Sequence, residues 1–288
     1  MSDRTTTVRS NRRPTPTADR LRERPLSVTF TAEGYHPPTL ADFNPPAILF
    51  GGTPFEIDRL VMLRLIMCGL LLLFFVLALR SQKLVPRGVQ NVAELALDFV
   101  RINIAEEILG KEQGRRFLPV ISTIFFVVLA TNISGVIPFM NISSNGRIAM
   151  PMVLAAFAYV TFLYVGIKKY GFLKYFKSSI VVPNVPPALH LLLIPIEFIS
   201  TFILRPFTLM VRLMANMLAG HILLVLFFGS AWYFFFEAGN FTAVFGVASL
   251  AAAVAFTFFE LLVIFLQAYV FALLTSVYID TSLHADSH

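Results

Sequence analysis

Charged and amide side chains interrupt a strongly apolar stretch of this 288-residue chain. Residues 204–229 are apolar enough to lie in a membrane, yet they contain Arg205, Arg212, Asn216 and His221. A charged side chain at the centre of a bilayer costs between about 2.5 and more than 10 kcal/mol. The long side chain of Arg205 is expected to reach the membrane surface, whereas Arg212 lies midway along the segment and needs an anionic partner.

The next apolar segment carries a matching set of polar residues. If the two segments form an antiparallel hairpin that turns near Gly239 and Asn240, residues that face each other have numbers with a nearly constant sum. The predicted pairs are Arg212 with Gln267, His221 with Glu260, and Glu197 with Tyr278. No acidic residue of the hairpin matches the level of Arg212, so the sequence predicts that its anionic partner belongs to another chain.

Helical spacing predicts which side of the first segment faces that partner. Arg205, Arg212 and Asn216 are seven and four residues apart, which places them on one face of a helix. Leu209 and Leu213 flank the arginine, and we expect them to lie on the same face. This face should therefore contact a second protein rather than lipid.

Each of the other polar residues also has a simpler interpretation when it is taken alone. Asn216 and Gln267 can join helices inside a membrane by hydrogen bonding. His221 or Glu260 can be a buried polar group with a local hydrogen-bond partner. The matched depths of the pairs favour a continuous polar track across the membrane.

The composition sets the class of protein that must position these residues. Hydrophobic residues make up 57% of the chain and charged residues only 14%, which is typical of a polytopic membrane protein. A helix needs about 20 apolar residues to cross a bilayer. The five predicted crossings are residues 57–79, 117–139, 150–167, 189–236 and 241–279.

The connecting segments and the last two crossings complete the predicted fold. Residues 90–117 mix charges with apolar residues at helical spacing, including Val92, Leu95 and Phe99, which predicts an amphipathic helix on the membrane surface. A helix of about 40 residues measures roughly 60 Å, against a hydrocarbon core of about 30 Å. The sequence thus predicts an all-α polytopic membrane protein with about five membrane-embedded helices, the last two forming a long, strongly tilted hairpin over about residues 189–280.

Residues 1–55 differ from the rest of the chain. They are rich in Arg, Thr and Pro without an apolar period, which predicts a disordered N-terminal extension before a membrane domain at residues 56–288. An organelle transit peptide is the alternative, although its acidic residues disfavour it. The single cysteine, Cys68, excludes a disulfide framework and a cysteine-based zinc site.

Basic residues give the expected orientation. The net charge of +6 arises largely from clusters beside apolar spans, so the expected partner is the lipid bilayer and not nucleic acid. The clusters within residues 80–116 and 168–177 fall on one side if each apolar segment crosses once. Because Lys and Arg are enriched on the cytoplasmic side, the N-terminus is predicted outside and the C-terminus in the cytoplasm.

Four sequence blocks carry a resemblance to a known family. The stretch MVRLMANMLAGH, followed by FELLVIFLQAYVFALLTSVYI, resembles the signature of subunit a of F-type ATP synthases. That family has Arg-Leu-x-x-Asn-x-x-x-Gly in its penultimate helix and Leu-Gln-Ala-x-x-Phe in its last. TNISGVIP, residues 131–138, is similar to the Asn-Leu-x-Gly-x-x-Pro segment of an earlier helix, and IPIEFISTFILRP resembles the stretch before the arginine. The resemblance covers roughly residues 57–278.

The resemblance implies a stator subunit that conducts protons to and from a rotating c-ring through two offset half-channels, with Arg212 between them. The expected partners are the c-ring proteolipids, the peripheral-stalk subunit b and the rest of the ATP synthase, in a bacterial inner (plasma) membrane. The residues implied in proton translocation are Arg212, Asn216, His221, Glu260, Gln267, Glu197, Asn132 and Tyr278. No cofactor or metal is expected, and without a Walker-type glycine loop the chain is expected to be no enzyme on its own.

Two alternatives remain from the sequence. A sodium-translocating version of the same motor would use much the same chain, because the choice of ion lies largely in the ring subunit. A secondary transporter would use the intramembrane arginine to bind an anionic substrate, but it should also show paired internal repeats. We find no such repeat. An intramembrane hydrolase is excluded by the lack of the motifs that it would need.

Overall fold

The structure is a computed structural model, and it describes residues 47–49, 57–80, 87–137, 147–180, 187–237 and 242–285. Within these ranges five helical segments are long and apolar enough to cross a membrane, which confirms the predicted all-α polytopic class. They are Arg59–Leu79, Val89–Ile133, Ala149–Tyr170, Leu192–Phe236 and Ala243–Leu283. The predicted turn at Gly239 and Asn240 and the end of the second crossing at residues 138–139 lie outside the described residues.

The N-terminal region is described only in part. Ala47–Leu49 (β1) pairs antiparallel with Ile57–Asp58 (β2), so these three residues of the extension depart from the predicted disorder. The remainder of residues 1–55 lies outside the described residues. Helix α1, Arg59–Leu79, follows β2 directly.

The predicted amphipathic helix is present, and it turns back on the following crossing. Helix α2, Val89–Val100, continues through a π-helical turn, Arg101–Glu106, into α3, Glu107–Ile133. Gly110 interrupts α3 with a φ of 73° and a ψ of 170°, a conformation that favours glycine. A Cβ at Gly114 would lie 2.8 Å from the carbonyl oxygen of Ala105, so the two arms pack closely on either side of the turn.

This reversal decides which face of α2 is buried. The rings of Phe99 and Phe125 lie 6.0 Å apart between centroids, while Val100 is fully buried. Val92 and Leu95, which helical spacing places on one face with Phe99, are exposed. The buried side of α2 instead carries Ala93 and Val100, so the predicted apolar face is only partly packed against the helical bundle.

Contacts between helix ends show how the crossings are arranged. Arg147, just before α4 (Ala149–Tyr170), forms an ion pair with Asp58, just before α1, so both helices begin at the same end of the bundle. At the other end the hydroxyl of Tyr170 donates to the carbonyl oxygen of Leu283, at 2.7 Å. We call these the Arg147 end and the Leu283 end. Helix α4 and the last helix, α8 (Ala243–Leu283), therefore run parallel and end together.

The long hairpin is antiparallel, as the sequence predicts. Helix α6, Pro187–Phe198, passes through a π-helical segment, Ile199–Leu204, into α7, Arg205–Phe236. Near the turn the hydroxyl of Ser249 donates to the carbonyl oxygen of Phe227, at 2.9 Å. Helix α8 has 41 residues and so is about 60 Å long, about twice the thickness of a hydrocarbon core. A helix of this length must tilt strongly or extend beyond the membrane.

The π-helical segment lies between the two prolines that predict bends. Pro195 is inside α6 and Pro206 lies in the first turn of α7. Proline has no N–H to donate to the preceding turn, so the regular helical hydrogen-bond pattern is broken on both sides. A π-helix takes up an extra residue in each turn and rotates the faces of the helix that follows.

The buried core of the bundle lies where α3, α4, α7 and α8 meet. Its members from α7 and α8 include Leu209, Leu213, Ala268, Phe271 and Ala272, and those from α3 and α4 include Ile121, Phe125, Val128, Ala158 and Phe162. Small residues of α8 allow close packing of helices inside a membrane. This core fixes the rotation of α7 and α8, and with it the direction in which their polar residues point.

Candidate functional site

Arg212 lies on an exposed stripe of α7. The stripe consists of Thr208, Arg212, Ala215 and Ala219, at spacings of four, three and four residues. Arg212 makes no hydrogen bond or ion pair with any residue that the structure describes. The hydroxyl of Thr208 donates to the carbonyl oxygen of Leu204, at 2.8 Å, within the helix itself. The guanidinium is thus the one charged group on a face of small side chains.

The prediction that Leu209 and Leu213 share this face is wrong. Leu209 is 2% exposed and Leu213 is fully buried, and both belong to the core of the bundle. Positions three before and one after Arg212 are rotated about 60° and 100° around the helix, both in the same direction. That direction points into the chain, because α4 and α8 pack against α7.

A hydrogen bond joins α7 and α8 one turn beyond Arg212. The amide nitrogen Nδ2 of Asn216 donates to Oε1 of Gln267, at 2.7 Å, and Gln267 is buried. The predicted pairing of Arg212 with Gln267 is therefore wrong by one helical turn. Asn216 lies about 40° around the helix from Arg212, toward Leu213. Its amide therefore lies in the interface between α7 and α8, which we call the seam, whereas Arg212 is exposed.

Glu260 lies in the same seam, closer to the Arg147 end. Its carboxylate is 4% exposed and packs against Gly220, where a Cβ would overlap both carboxylate oxygens. His221 directly follows Gly220 in the chain and is half-buried, so its backbone lies at the depth of Glu260. The sequence motif contains Gly220, but only the packing of α7 on α8 shows that its missing side chain makes room for the carboxylate.

Asn132 lies near this level on a third helix. It is fully buried in the last turn of α3, a helix that runs toward the Arg147 end. The rings of Phe125 and Phe265 lie 6.1 Å apart and mark a shared depth. At 1.5 Å per residue, Asn132 lies about 10 Å from Phe125 and Glu260 lies about 8 Å from Phe265. Both displacements point toward the Arg147 end, so Asn132 and Glu260 differ in depth by less than one helical turn.

The polar residues nearer the Leu283 end are paired differently from the prediction. The guanidinium carbon of Arg205 lies 5.2 Å from the ring centroid of Tyr278, a cation–π arrangement. Glu197 is half-buried on α6 and forms no hydrogen bond or ion pair within the described part of the chain. The predicted match of Glu197 with Tyr278 is wrong. Arg205 lies eleven residues before Asn216, and Tyr278 eleven residues after Gln267, so the same antiparallel register places Arg205 at the level of Tyr278. Glu197 lies eight residues before Arg205, beyond the π-helical segment.

The side chains of the seam determine which chemistry it can support. Among the described residues no group of three or more His, Cys, Asp or Glu side chains could hold a metal ion. The seam instead offers a carboxylic acid, an imidazole and amides, which can pass protons between neighbouring groups and water. Arg212 lies about 40° around the same helix from Asn216, on the exposed stripe.

The hydrogen bond between Asn216 and Gln267 gives a testable coupling. We expect Asn216→Leu and Gln267→Leu each to slow ion pumping by membrane vesicles, and the double variant to be no slower than the worse single variant. Buried interhelical hydrogen bonds in membranes are worth about 0.6 to 1.7 kcal/mol, so the departure from multiplicativity should be about threefold or more.

A matched control comes from the same seam. Ser249→Ala removes another bond between α7 and α8, the one to the carbonyl of Phe227, far from Asn216. This variant should pump at nearly the wild-type rate. If the effects of Asn216→Leu and Gln267→Leu simply multiply, the two amides act independently.

Fold and site together define a polytopic helical membrane protein with an intramembrane arginine on its outer face and a buried polar seam behind it. The family model of the ATP synthase A chain matches residues 61–280. The chain therefore belongs to the ATP synthase subunit a family, which confirms the resemblance of its motifs. It is a non-catalytic membrane subunit of the ATP synthase complex.

Similar proteins agree with this assignment. A protein of Rhodococcus erythropolis named ATP synthase subunit a is 72% identical over 272 residues, covering 94% of this chain and 99% of that protein. Proteins of the same name from Frankia alni and Streptomyces lividans are 40% and 41% identical, covering 89% and 75% of this chain and 89% and 75% of their own lengths. The family assignment removes the secondary transporter as an alternative.

Proposed function

We propose that this chain is the proton-translocating stator subunit of the ATP synthase, with two offset half-channels separated by Arg212. The observation that carries the proposal is the exposed stripe of α7. Arg212 there has no hydrogen-bond or ion-pair partner within the described residues, while a charge in a membrane needs one. A carboxylate on each subunit of a rotating ring supplies that partner in turn.

The small residues around Arg212 support a close approach of this second protein. Thr208, Ala215 and Ala219 leave the helix backbone accessible, as small residues do where membrane helices pack tightly. A ring helix can then bring its carboxylate to the guanidinium. The positive charge favours the ionised carboxylate in front of it and blocks direct proton passage between the half-channels.

The outer half-channel is assigned to the polar residues nearer the Arg147 end. Asn132, His221 and Glu260 lie at similar depth, and Asn216 with Gln267 continues the polar seam toward the level of Arg212. Protons that enter here protonate a ring carboxylate. The neutral acid can then rotate into lipid at low cost, because the charge that makes transfer expensive is gone.

The inner half-channel is assigned to the Leu283 end, with Glu197 and Tyr278. Tyr278 packs under the guanidinium of Arg205. We therefore assign Glu197, the carboxylate on this side, as the main proton acceptor. A ring carboxyl that returns after nearly a full turn would release its proton toward this side.

The proposal includes an orientation and partners. Lys168, Lys169, Lys174 and Lys177 lie toward the Leu283 end, and the positive-inside rule assigns that end to the cytoplasm. The N-terminal side of α1 is then outside. The complex lies in a bacterial plasma membrane, with the c-ring beside α7 and α8 and subunit b as a stator partner.

The pair of His221 and Glu260 provides the next test. Either single change, to Ala or Gln, should reduce ATP-driven acidification of inverted vesicles. The exchanged variant, His221→Glu with Glu260→His, should recover more activity than the product of the two exchanged single variants predicts, because it restores one acid and one base at the same depth. Strictly multiplicative rates would show that the two side chains do not cooperate.

The same vesicles distinguish protons from sodium. In nominally sodium-free buffer the wild-type complex should acidify the vesicles, and a sodium ionophore should leave that acidification intact. ATP-driven sodium uptake that continues in the presence of a protonophore, without acidification in sodium-free buffer, would contradict the proton assignment. It would leave the family and the fold unchanged.

A further inference from the structure

Helix α5, Phe172–Ile180, is a short helix at the Leu283 end whose two faces differ sharply. It follows α4 after Gly171, where a φ of 82° turns the chain away from the axis of α4. On the inner face Tyr175 is almost fully buried, in space that the missing side chain of Gly166 leaves for its ring. Phe176 stacks on Phe202, with ring centroids 4.9 Å apart and an interplanar angle of 3°. The helix is thus held against the bundle along one face.

The rest of the surface of α5 combines exposed apolar and basic side chains. Leu173, which is 83% exposed, Lys174 and Lys177 lie away from the packed face. Phe172 begins the helix on the packed side, with its ring centroid 4.8 Å from that of Phe176, and it is still 60% exposed. Lys168 adds a further exposed charge at the end of α4. We call Lys168, Phe172, Leu173, Lys174 and Lys177 the α5 surface. No Asp or Glu occurs in the sequence between Glu112 and Glu197, so this part of the chain carries positive charge alone.

The α5 surface continues from the outer side of a membrane crossing. Val160 and Tyr164 are exposed on α4 and lead, four residues at a time, to Lys168. The ammonium of Lys168 lies 5.4 Å from the ring centroid of Tyr164. A lipid whose acyl chain runs along Val160 and Tyr164 would therefore place its headgroup at Lys168.

We propose that the α5 surface binds anionic phospholipids, with its lysines at the lipid phosphates and Phe172 and Leu173 inserted among the acyl chains. An amphipathic helix with lysines beside apolar residues has the chemistry of an interfacial helix. Lysines near an anionic leaflet each contribute about 1 kcal/mol to binding. Charge complementarity and continuity with the lipid-facing side of α4 favour lipid over a peripheral protein as the occupant.

Binding here would act on the end of α8. The hydroxyls of Tyr175 and Ser282 lie 3.0 Å apart, and Tyr170 and Lys169 both donate to the carbonyl oxygen of Leu283. Ser178 donates to the carbonyl oxygen of Ala285. A lipid that holds α5 at the membrane surface therefore also holds the last turn of the helix that carries Glu260 and Gln267. The inference does not depend on which ion the complex moves.

The test uses the complete complex in nanodiscs that contain a photoreactive phosphatidylglycerol or, in parallel, photoreactive phosphatidylcholine. Labelled peptides are mapped by mass spectrometry. We expect α5 and the end of α4 to be labelled by the anionic lipid about fivefold or more above the zwitterionic lipid, which is the effect of a single lysine at an anionic surface. The variant Lys168→Gln with Lys174→Gln and Lys177→Gln should reduce this ratio toward one. Lys169 is left in place because it holds Leu283.

Two controls decide between the outcomes. The variant Lys111→Gln with Arg116→Gln removes exposed positive charges elsewhere on the chain and should leave labelling of α5 unchanged. If the triple variant fails to assemble, the wild-type complex at high ionic strength should lose the preference instead, because salt screens exposed charges. Equal labelling by both lipids, or a preference that survives both treatments, would overturn the proposal. Absence of lipid labelling, with α5 crosslinked to another protein, would overturn it in favour of a protein partner.

Discussion

We expect Arg212→Lys to abolish ATP-driven proton pumping while the complex still assembles. The arginine is exposed on α7, with no hydrogen-bond or ion-pair partner in the described part of its own chain. In the proposed function its partner is a ring carboxylate that it meets afresh at each step. A guanidinium is always charged and offers a planar fork of donors, whereas a lysine ammonium is a compact ion that loses its proton more readily away from water. Pumping is measured by dye quenching in inverted vesicles.

A threshold pumping rate and a matched control variant show which results would contradict the prediction for Arg212→Lys. A rate above about a tenth of wild type would correspond to a loss of less than about 1.4 kcal/mol, too small for the role assigned to Arg212. Arg205→Lys is the matched control on the same helix. Arg205 lies over the ring of Tyr278, and a lysine keeps a positive charge near that ring. The control variant should retain most of its pumping.

Gly220→Ala is expected to have the next largest effect. The added Cβ would overlap both carboxylate oxygens of Glu260, which is buried between α7 and α8. Overpacking of a buried site costs about 1 to 3 kcal/mol, and here the strain falls on a carboxylate assigned to proton transfer. We expect pumping and proton-driven ATP synthesis to fall several-fold or more, about 5- to 160-fold if the full cost acts on the rate.

Two further variants test the cause of that loss. Glu260→Asp shortens the side chain, so combining it with Gly220→Ala should cost less than the product of the two single effects. Gly69→Ala adds the same methyl group to α1, where nothing lies within 4 Å of the new Cβ, and should leave pumping unchanged. A full multiplicative loss in the double variant would show that Gly220 does not act through Glu260.

The crossings and the hairpin were predictable because they depend on the length of apolar runs. Each of the five predicted segments overlaps a helix that can span a membrane. The antiparallel hairpin was predictable because the short polar break after Phe236 leaves two long apolar helices side by side. Neither inference, of the crossings or of the hairpin, requires knowing how each helix is rotated about its own axis.

The rotation of the helices is where prediction from sequence failed. Leu209 and Leu213 are buried in the core of the bundle. In a membrane segment a leucine can lie in the core or on a surface that faces a partner, so the residue type does not reveal which of the two it is. The prediction that Tyr278 matches Glu197 assumed that the register drifts along the hairpin, whereas Arg205 with Tyr278 keeps the register of Asn216 with Gln267. The spacing of Thr208, Ala215 and Ala219 around Arg212 was a usable signal, since small residues mark close helix approach.

Local backbone conformation accounts for the other difference. The reversal between α2 and α3 depends on the positive φ of Gly110. The sequence shows Gly110 and Gly114 in a charged, helical stretch, where glycine is compatible with a continued helix as well as with a turn. The close contact of Gly114 with Ala105 exists only after the chain has reversed.

The central claim is that the exposed face of α7 around Arg212 contacts the ring, and oxidative crosslinking tests it most directly. In a Cys68→Ser background, Ala215→Cys and Leu213→Cys are each paired with a cysteine near the ring carboxyl, since a disulfide needs Cα atoms within about 7 Å. Ala215 is exposed three residues after Arg212, and Leu213 is buried in the core. We predict a product from Ala215→Cys and none from Leu213→Cys. Product from Leu213→Cys alone, or none from either position in an intact complex, would contradict the claim.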